Sequence, residues 1–115
     1  MRKLDGEQVL MRVFIGESDR WEHRPLHVAL LELFRREGLA GATVLRAVSG
    51  FGAASVVHTA NILRLSTDLP LVIEVVDSQE HLDRVLPLVD RMMPGGLITM
   101  EKVRVLKYED AKGRN

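Results

Sequence analysis

Gln8 to Ile15 alternates in character. Val9, Met11, Val13 and Ile15 share one side, while Gln8, Arg12 and Phe14 take the other. A period of two predicts a strand with one buried face. Gly16-Glu17-Ser18-Asp19-Arg20 then reads as a loop. From Pro25 the period changes: Leu26, Ala29, Leu30, Leu33 and Phe34 fall on one helical stripe, and Gly38 offers a stop. A helix over about Pro25–Glu37 follows.

Ala42 to Val48 is short, apolar and rich in β-branched residues, which predicts a second strand. Small residues from Ser49 to Ser55 interrupt it, and Val56 to Leu65 is ambiguous, with a short strand over Ala60–Leu65 as one reading. Asp68-Leu69-Pro70 is a turn, and Leu71–Val76 is a nearly continuous apolar run, as in a buried central strand. Asp77 or Ser78 can cap a second helix carrying Leu82, Val85, Leu86, Val89 and Met93 on one stripe. Pro87 lies within it and predicts a bend. Pro94-Gly95-Gly96 ends the helix, and Ile98–Leu106 forms the last strand. Its alternation slips at Glu101-Lys102, which predicts a bulge or short loop there.

The order is β-α-β-β-α-β, so the expected fold is α+β and ferredoxin-like: a four-stranded antiparallel sheet with two helices on one face. The other face is left without helices. Leu10, Phe14 and the doubly apolar strand Leu71–Val76 suggest that it is apolar, and assembly into a homo-oligomer is the expectation.

Composition narrows the class. A chain of 115 residues, 46% of them hydrophobic, suits one domain with one core over about 8–106 and polar termini. Sixteen basic and sixteen acidic residues cancel, which gives no electrostatic case for nucleic acid or an anionic membrane. The absence of cysteine excludes disulfides, thiolate nucleophiles and cysteine-ligated metals, and fits a reducing compartment. The polar start of the chain lacks a signal-peptide pattern, and no apolar run approaches the ~20 residues of a membrane span. The expected location is the cytoplasm.

Candidate chemistry is sparse. Glu17, Ser18 and Asp19 gather two carboxylates and a hydroxyl at a strand end, suited to a cation or a ribose, or simply to a solvated loop. Gly50, Phe51 and Gly52 would let a backbone approach a ligand, or form a plain turn; Gly95 and Gly96 would make a small anion nest, or only a helix stop. Arg46, Arg64 and Arg104 are charges within apolar strands, which calls for a carboxylate partner, an anionic ligand or a place on an exposed edge. Of the four histidines, His58 is the best placed for ligand contact or pH response, with a surface loop histidine as the bland reading. No histidine spacing supports a metal site, no motif calls for a cofactor, and no catalytic constellation is present. The residues alone leave open a regulatory binding module, a structural or protein-interaction subunit without a ligand, and a small ferredoxin-like enzyme.

The stretch from Gly41 to Gly52 resembles the end of the second strand and the start of the T-loop in nitrogen-regulatory PII proteins. Across nearly its whole length the chain is more similar still to a PII-like family of unknown function. The stretches that carry this are 15–19, Gly38 to Val44, Gly50-Phe51-Gly52, His58-Thr59-Ala60 and Leu69 to Glu74. The resemblance implies a trimer with small ligands, such as an adenine nucleotide, in clefts between subunits. It also implies a mobile loop near 49–69 that reports to a partner, such as a membrane transporter or channel. The chain departs from PII proper where Leu97 follows the glycines in place of lysine, where Leu106 replaces a second arginine after Arg104, and where Ala53-Ala54-Ser55 lacks a glutamine. With no tyrosine between Ser49 and Pro70, loop nucleotidylation is excluded. A ligand other than the ATP and 2-oxoglutarate of PII proper is the expectation.

Overall fold

Alternation along the first strand decides where the core lies. In the computed structural model, which describes residues 3–52 and 68–110, β1 runs over Gly6–Gly16, and Val9, Met11, Val13 and Ile15 are all buried. A two-residue ribbon follows, β2 (Arg20–Trp21) with β3 (Arg24–Pro25), and then helix α1 (Leu26–Arg36). Strand β4 (Thr43–Arg46), strand β5 (Pro70–Asp77), helix α2 (Gln79–Met92) and strand β6 (Leu97–Val105) complete the described elements.

The four long strands form one antiparallel sheet in the order β4-β5-β1-β6. Each helix thus crosses over a neighbouring strand, the ferredoxin-like arrangement that the period changes predicted. Leu26, Ala29, Leu30, Leu33 and Phe34 of α1 and Leu82, Val85 and Val89 of α2 are buried against the odd-numbered residues of β1 and β5. Pro25 precedes α1 as its cap residue rather than lying inside it, and α2 runs unbroken through Pro87. Trp21 packs against the core from the small ribbon.

The ends of α1 and α2 show why these segments stop and start where they do. Gly38 has φ +77, Leu39 N–H donates to the Phe34 carbonyl at 3.0 Å and Gly38 N–H to that of Arg35 at 3.1 Å. This is a Schellman closure, which needs a left-handed residue after the cap. Gly38→Ala is expected to destabilise the fold by about 1 kcal/mol, read from the urea midpoint. No added clash contributes, since a Cβ at Gly38 would meet nothing within 4 Å. At α2, the Ser78 hydroxyl accepts from His81 N–H at 3.2 Å, so Ser78 is the cap. Asp77 has a different role. It is fully buried, accepting from Ala40 N–H at 2.8 Å and Ser78 N–H at 2.7 Å.

One expectation is corrected. Strand β6 has no bulge or loop at Glu101-Lys102, because it pairs with β1 in a single continuous register from Phe14↔Leu97 to Gly6↔Val105. The slip in its pattern has another cause. Ile98 and Met100 pair opposite Val13 and Met11 and so face the helices, whereas Val103 and Val105 lie on the opposite face. The apolar side of the strand changes faces while its backbone stays regular.

Candidate functional site

The register brings most of the predicted site residues to one end of the sheet. Gly16 pairs with Pro70, Arg46 with Leu71 and Phe14 with Leu97. The turn after β1, the segment leaving β4, the segment entering β5 and the turn before β6 therefore share that end. Glu17, Ser18, Asp19, Arg46, Gly50, Phe51, Gly52, Gly95 and Gly96 all lie there. His58 and Arg64 lie outside the described residues, as does the short strand read over Ala60–Leu65.

The 16–19 turn is fixed by its own acids. Asp19 Oδ2 accepts from Gly16 N–H at 3.0 Å, and the Asp19 carbonyl accepts from Leu26 N–H at 2.8 Å. Asp68 Oδ1 accepts from Ser18 N–H at 3.2 Å, so two carboxylates in this neighbourhood serve the backbone. Glu17 is used twice. Its N–H donates to the Leu69 carbonyl at 2.8 Å, on the segment entering β5, and its carboxylate pairs with Arg46, on the segment leaving β4. Ala47 N–H donates to the Pro70 carbonyl at 2.9 Å and so joins the two segments directly. Both roots of the 47–69 connection are thus tied to each other and to the turn after β1.

The remaining groups there are open. The side chain of Arg46 is 63% exposed, and Phe51 is 74% exposed. Gly96, φ +116, lies so close to β1 that a Cβ would stand 2.5 Å from the Phe14 carbonyl oxygen. Only glycine allows the turn before β6 to close onto the strand. The site thus offers a guanidinium, an exposed aromatic ring and a glycine-lined backbone. That is chemistry for an anion attached to a flat apolar group. Among the described residues, no group of three acidic or histidine side chains could hold a metal ion.

Arg104 is not part of this gathering. It pairs with Glu7 near the far end of β6, beside a groove lined by Gly6, Glu7, Lys102, Val103 and Arg104. The length of β1 separates Glu7 from Gly16, roughly 30 Å at the usual rise. Within one chain, Arg104 and Arg46 do not act on one small ligand.

Two polar clusters escaped the sequence. The first lies on the face without helices. Arg12 Nε donates to Glu74 at 2.9 Å and its Nη1 to Glu101 at 2.5 Å, and these contacts raise the guanidinium pKa, the Glu74 hydrogen bond most. By register Leu10, Phe14, Leu45, Val72, Val76, Leu97, Val103 and Val105 surround them on the same face. Leu45 and Leu97 are exposed, and the others are half-buried. The second cluster is at the far end: besides Asp77, the Ser78 hydroxyl lies 2.6 Å from His81 Nδ1, and His81 Nδ1 lies 3.7 Å from Asp77. Serine and aspartate approach the same ring nitrogen, so no proton relay runs through the imidazole as in a hydrolytic triad.

Two helices over a four-stranded antiparallel sheet is a fold that this chain shares with solved PII-like proteins. The fold matches a putative PII-like signalling protein from Thermus thermophilus with a TM-score of 0.61 at 19% identity, over 89% of this chain and 93% of that one. It also matches CPII, a nitrogen regulatory PII-like protein from Thiomonas intermedia K12 solved with ADP, AMP and bicarbonate, with a TM-score of 0.56 at 15% identity over 88% and 90%. By sequence, the chain belongs to the DUF190 family (Uncharacterized ACR, COG1993), whose model spans residues 8–105. A UPF0166 protein of Aquifex aeolicus is 36% identical over 97 residues, covering 84% of this chain and 91% of that protein. A UPF0166 protein of Methanocaldococcus jannaschii is 35% identical over 101 residues, covering 87% and 93%. Among the described residues, no helix is long and apolar enough to cross a membrane.

Proposed function

We propose that this protein is a regulatory binding protein of the PII-like type and not an enzyme. It takes a small anionic ligand, an adenine nucleotide first among the candidates, in clefts between the subunits of a cytoplasmic homotrimer. The observation that carries this reading is the convergence of Arg46, the 16–19 turn, Gly50–Gly52 and Gly95–Gly96 at one sheet end, with both roots of the 47–69 connection tied to that turn. Occupancy there is reported through residues 49–69 to a partner, for which a membrane transporter or channel is the class proposed. CPII, similar in fold, binds ADP, AMP and bicarbonate, which supports nucleotides and small anions as the ligands to test.

Assembly follows from the face without helices. Glu74 and Glu101 both pair with Arg12 there and the rest is largely apolar, so covering it removes apolar surface from water at about 25 cal/mol per Å². Arg104, which stands apart from this end within a single chain, would have to reach the ligand from a neighbouring subunit. A calorimetric panel of ADP, AMP, ATP, a cyclic nucleotide, bicarbonate and acetate against the purified chain tests the reading. Saturable binding of at least one nucleotide supports it. Silence across the panel overturns it in favour of an interaction subunit without a ligand.

A further inference from the structure

Glu17 and Arg46 form an ion pair at the polar end of the sheet. Asp19 and Asp68 accept from backbone N–H groups, and Glu74 and Glu101 share Arg12 on the open face. Glu17 instead holds the guanidinium that stands at the polar end near the glycines and the exposed Phe51. The pair is asymmetric. Glu17 is anchored, its N–H bonded to the Leu69 carbonyl and its side chain only 23% exposed. Arg46 is the last residue of an edge strand, with a side chain 63% exposed.

We infer that Glu17 is an internal competitor for the ligand's anion: its carboxylate occupies Arg46 in the empty site, and a phosphate or carboxylate of the ligand takes its place. This inference rests on the binding reading above and names the residue that sets its affinity and anion selectivity. A solvent-exposed ion pair is weak, whereas a guanidinium meeting a multiply charged phosphate makes shorter, bidentate hydrogen bonds. The exchange therefore favours the ligand, but every binding event must first release Glu17 and is weakened by the fraction of Arg46 held by it. The exchange has a structural consequence. Glu17 links the end of β4 to the root entering β5, so the exchange removes the side-chain tie between Arg46 and the turn, while the backbone bonds of Glu17 to Leu69 and of Ala47 to Pro70 remain. Ligand arrival is thereby converted into the loss of one tie where the 47–69 connection begins.

The experiment is calorimetry of the full chain with ADP, AMP and, as the uncharged control, adenosine, on wild type, Glu17→Gln, Arg46→Met and the double variant, with circular dichroism confirming that each folds. Glu17→Gln keeps size and backbone contacts and removes the competing charge. Expected are roughly three- to tenfold tighter ADP binding in Glu17→Gln, with the gain shrinking at high salt and absent for adenosine. Arg46→Met is expected to bind ADP about tenfold more weakly or worse, and the double variant to match it. If wild type binds ADP and Glu17→Gln binds it equally or less well, Glu17 is a ligand contact or a mere brace and the inference fails alone. An unchanged Arg46→Met likewise removes it. If neither wild type nor Glu17→Gln binds a nucleotide, the binding reading falls with it.

Discussion

Asp77→Ala is expected to destabilise the protein by about 3 kcal/mol, because it strands two part-buried N–H donors that the buried carboxylate now satisfies. The side chain is fully buried, and it accepts from Ala40 N–H on the turn between α1 and β4 and from Ser78 N–H at the start of α2. One carboxylate thus joins the end of β5, the cap of α2 and the turn after α1, with its charge at the favourable end of the α2 dipole. The Tyr108 hydroxyl donates to the Ala40 carbonyl at 2.7 Å, so the same turn also holds the chain after β6. Asp77→Asn keeps one acceptor oxygen and is expected to lose about half as much stability. Urea unfolding followed by far-ultraviolet circular dichroism measures both; a midpoint for Asp77→Ala within error of wild type would show that water replaces the carboxylate without penalty.

The second large effect is expected on assembly and not on folding. Val72 pairs with Phe14 on one side and Leu45 on the other, on the face without helices and near the polar end of the sheet. Val72→Glu leaves the helix-covered core untouched, since Leu71 and Ile73 carry that face. It places a carboxylate within an apolar patch that the proposed assembly covers, where an unpaired charge costs several kcal/mol. Light scattering coupled to size exclusion is expected to find a trimer for wild type and a folded monomer for Val72→Glu. A trimer of unchanged stability for Val72→Glu would mean that subunits meet through another surface.

Most of the fold was legible because its signals are local. The alternation of Val9, Met11, Val13 and Ile15 and the helical stripe from Leu26 to Phe34 both report burial within a few residues of themselves. The sequence failed where burial depends on a distant element. Strand β6 looked irregular because the layer facing Ile98 and Met100 does not continue over Lys102 and Arg104, and the next apolar residues turn to the open face. Asp77 looked like an alternative helix cap beside Ser78, and only the fold brings Ala40 to its carboxylate, 37 residues away in the chain. The Arg12 cluster was invisible for the same reason, its acids lying 62 and 89 residues away.

The site was legible in part. Arg46, the 16–19 turn and the two glycine pairs were singled out by residue type, and the register gathers them at one sheet end. What residue type could not convey is the use of each acid. Asp19 serves its own turn, while Glu17 reaches across to Arg46, and only the geometry of the turn separates them. Arg104 was grouped with them because it shares their chemistry, although the antiparallel pairing carries it to the other end of the sheet.

Native mass spectrometry of the full chain with and without ADP tests the central claim most directly, since it reads assembly and occupancy together. The account predicts a trimer in both conditions, with successive additions of up to three nucleotides when ADP is present. A monomer or dimer, or a trimer that takes up no nucleotide at concentrations where a known nucleotide-binding control is saturated, would contradict it.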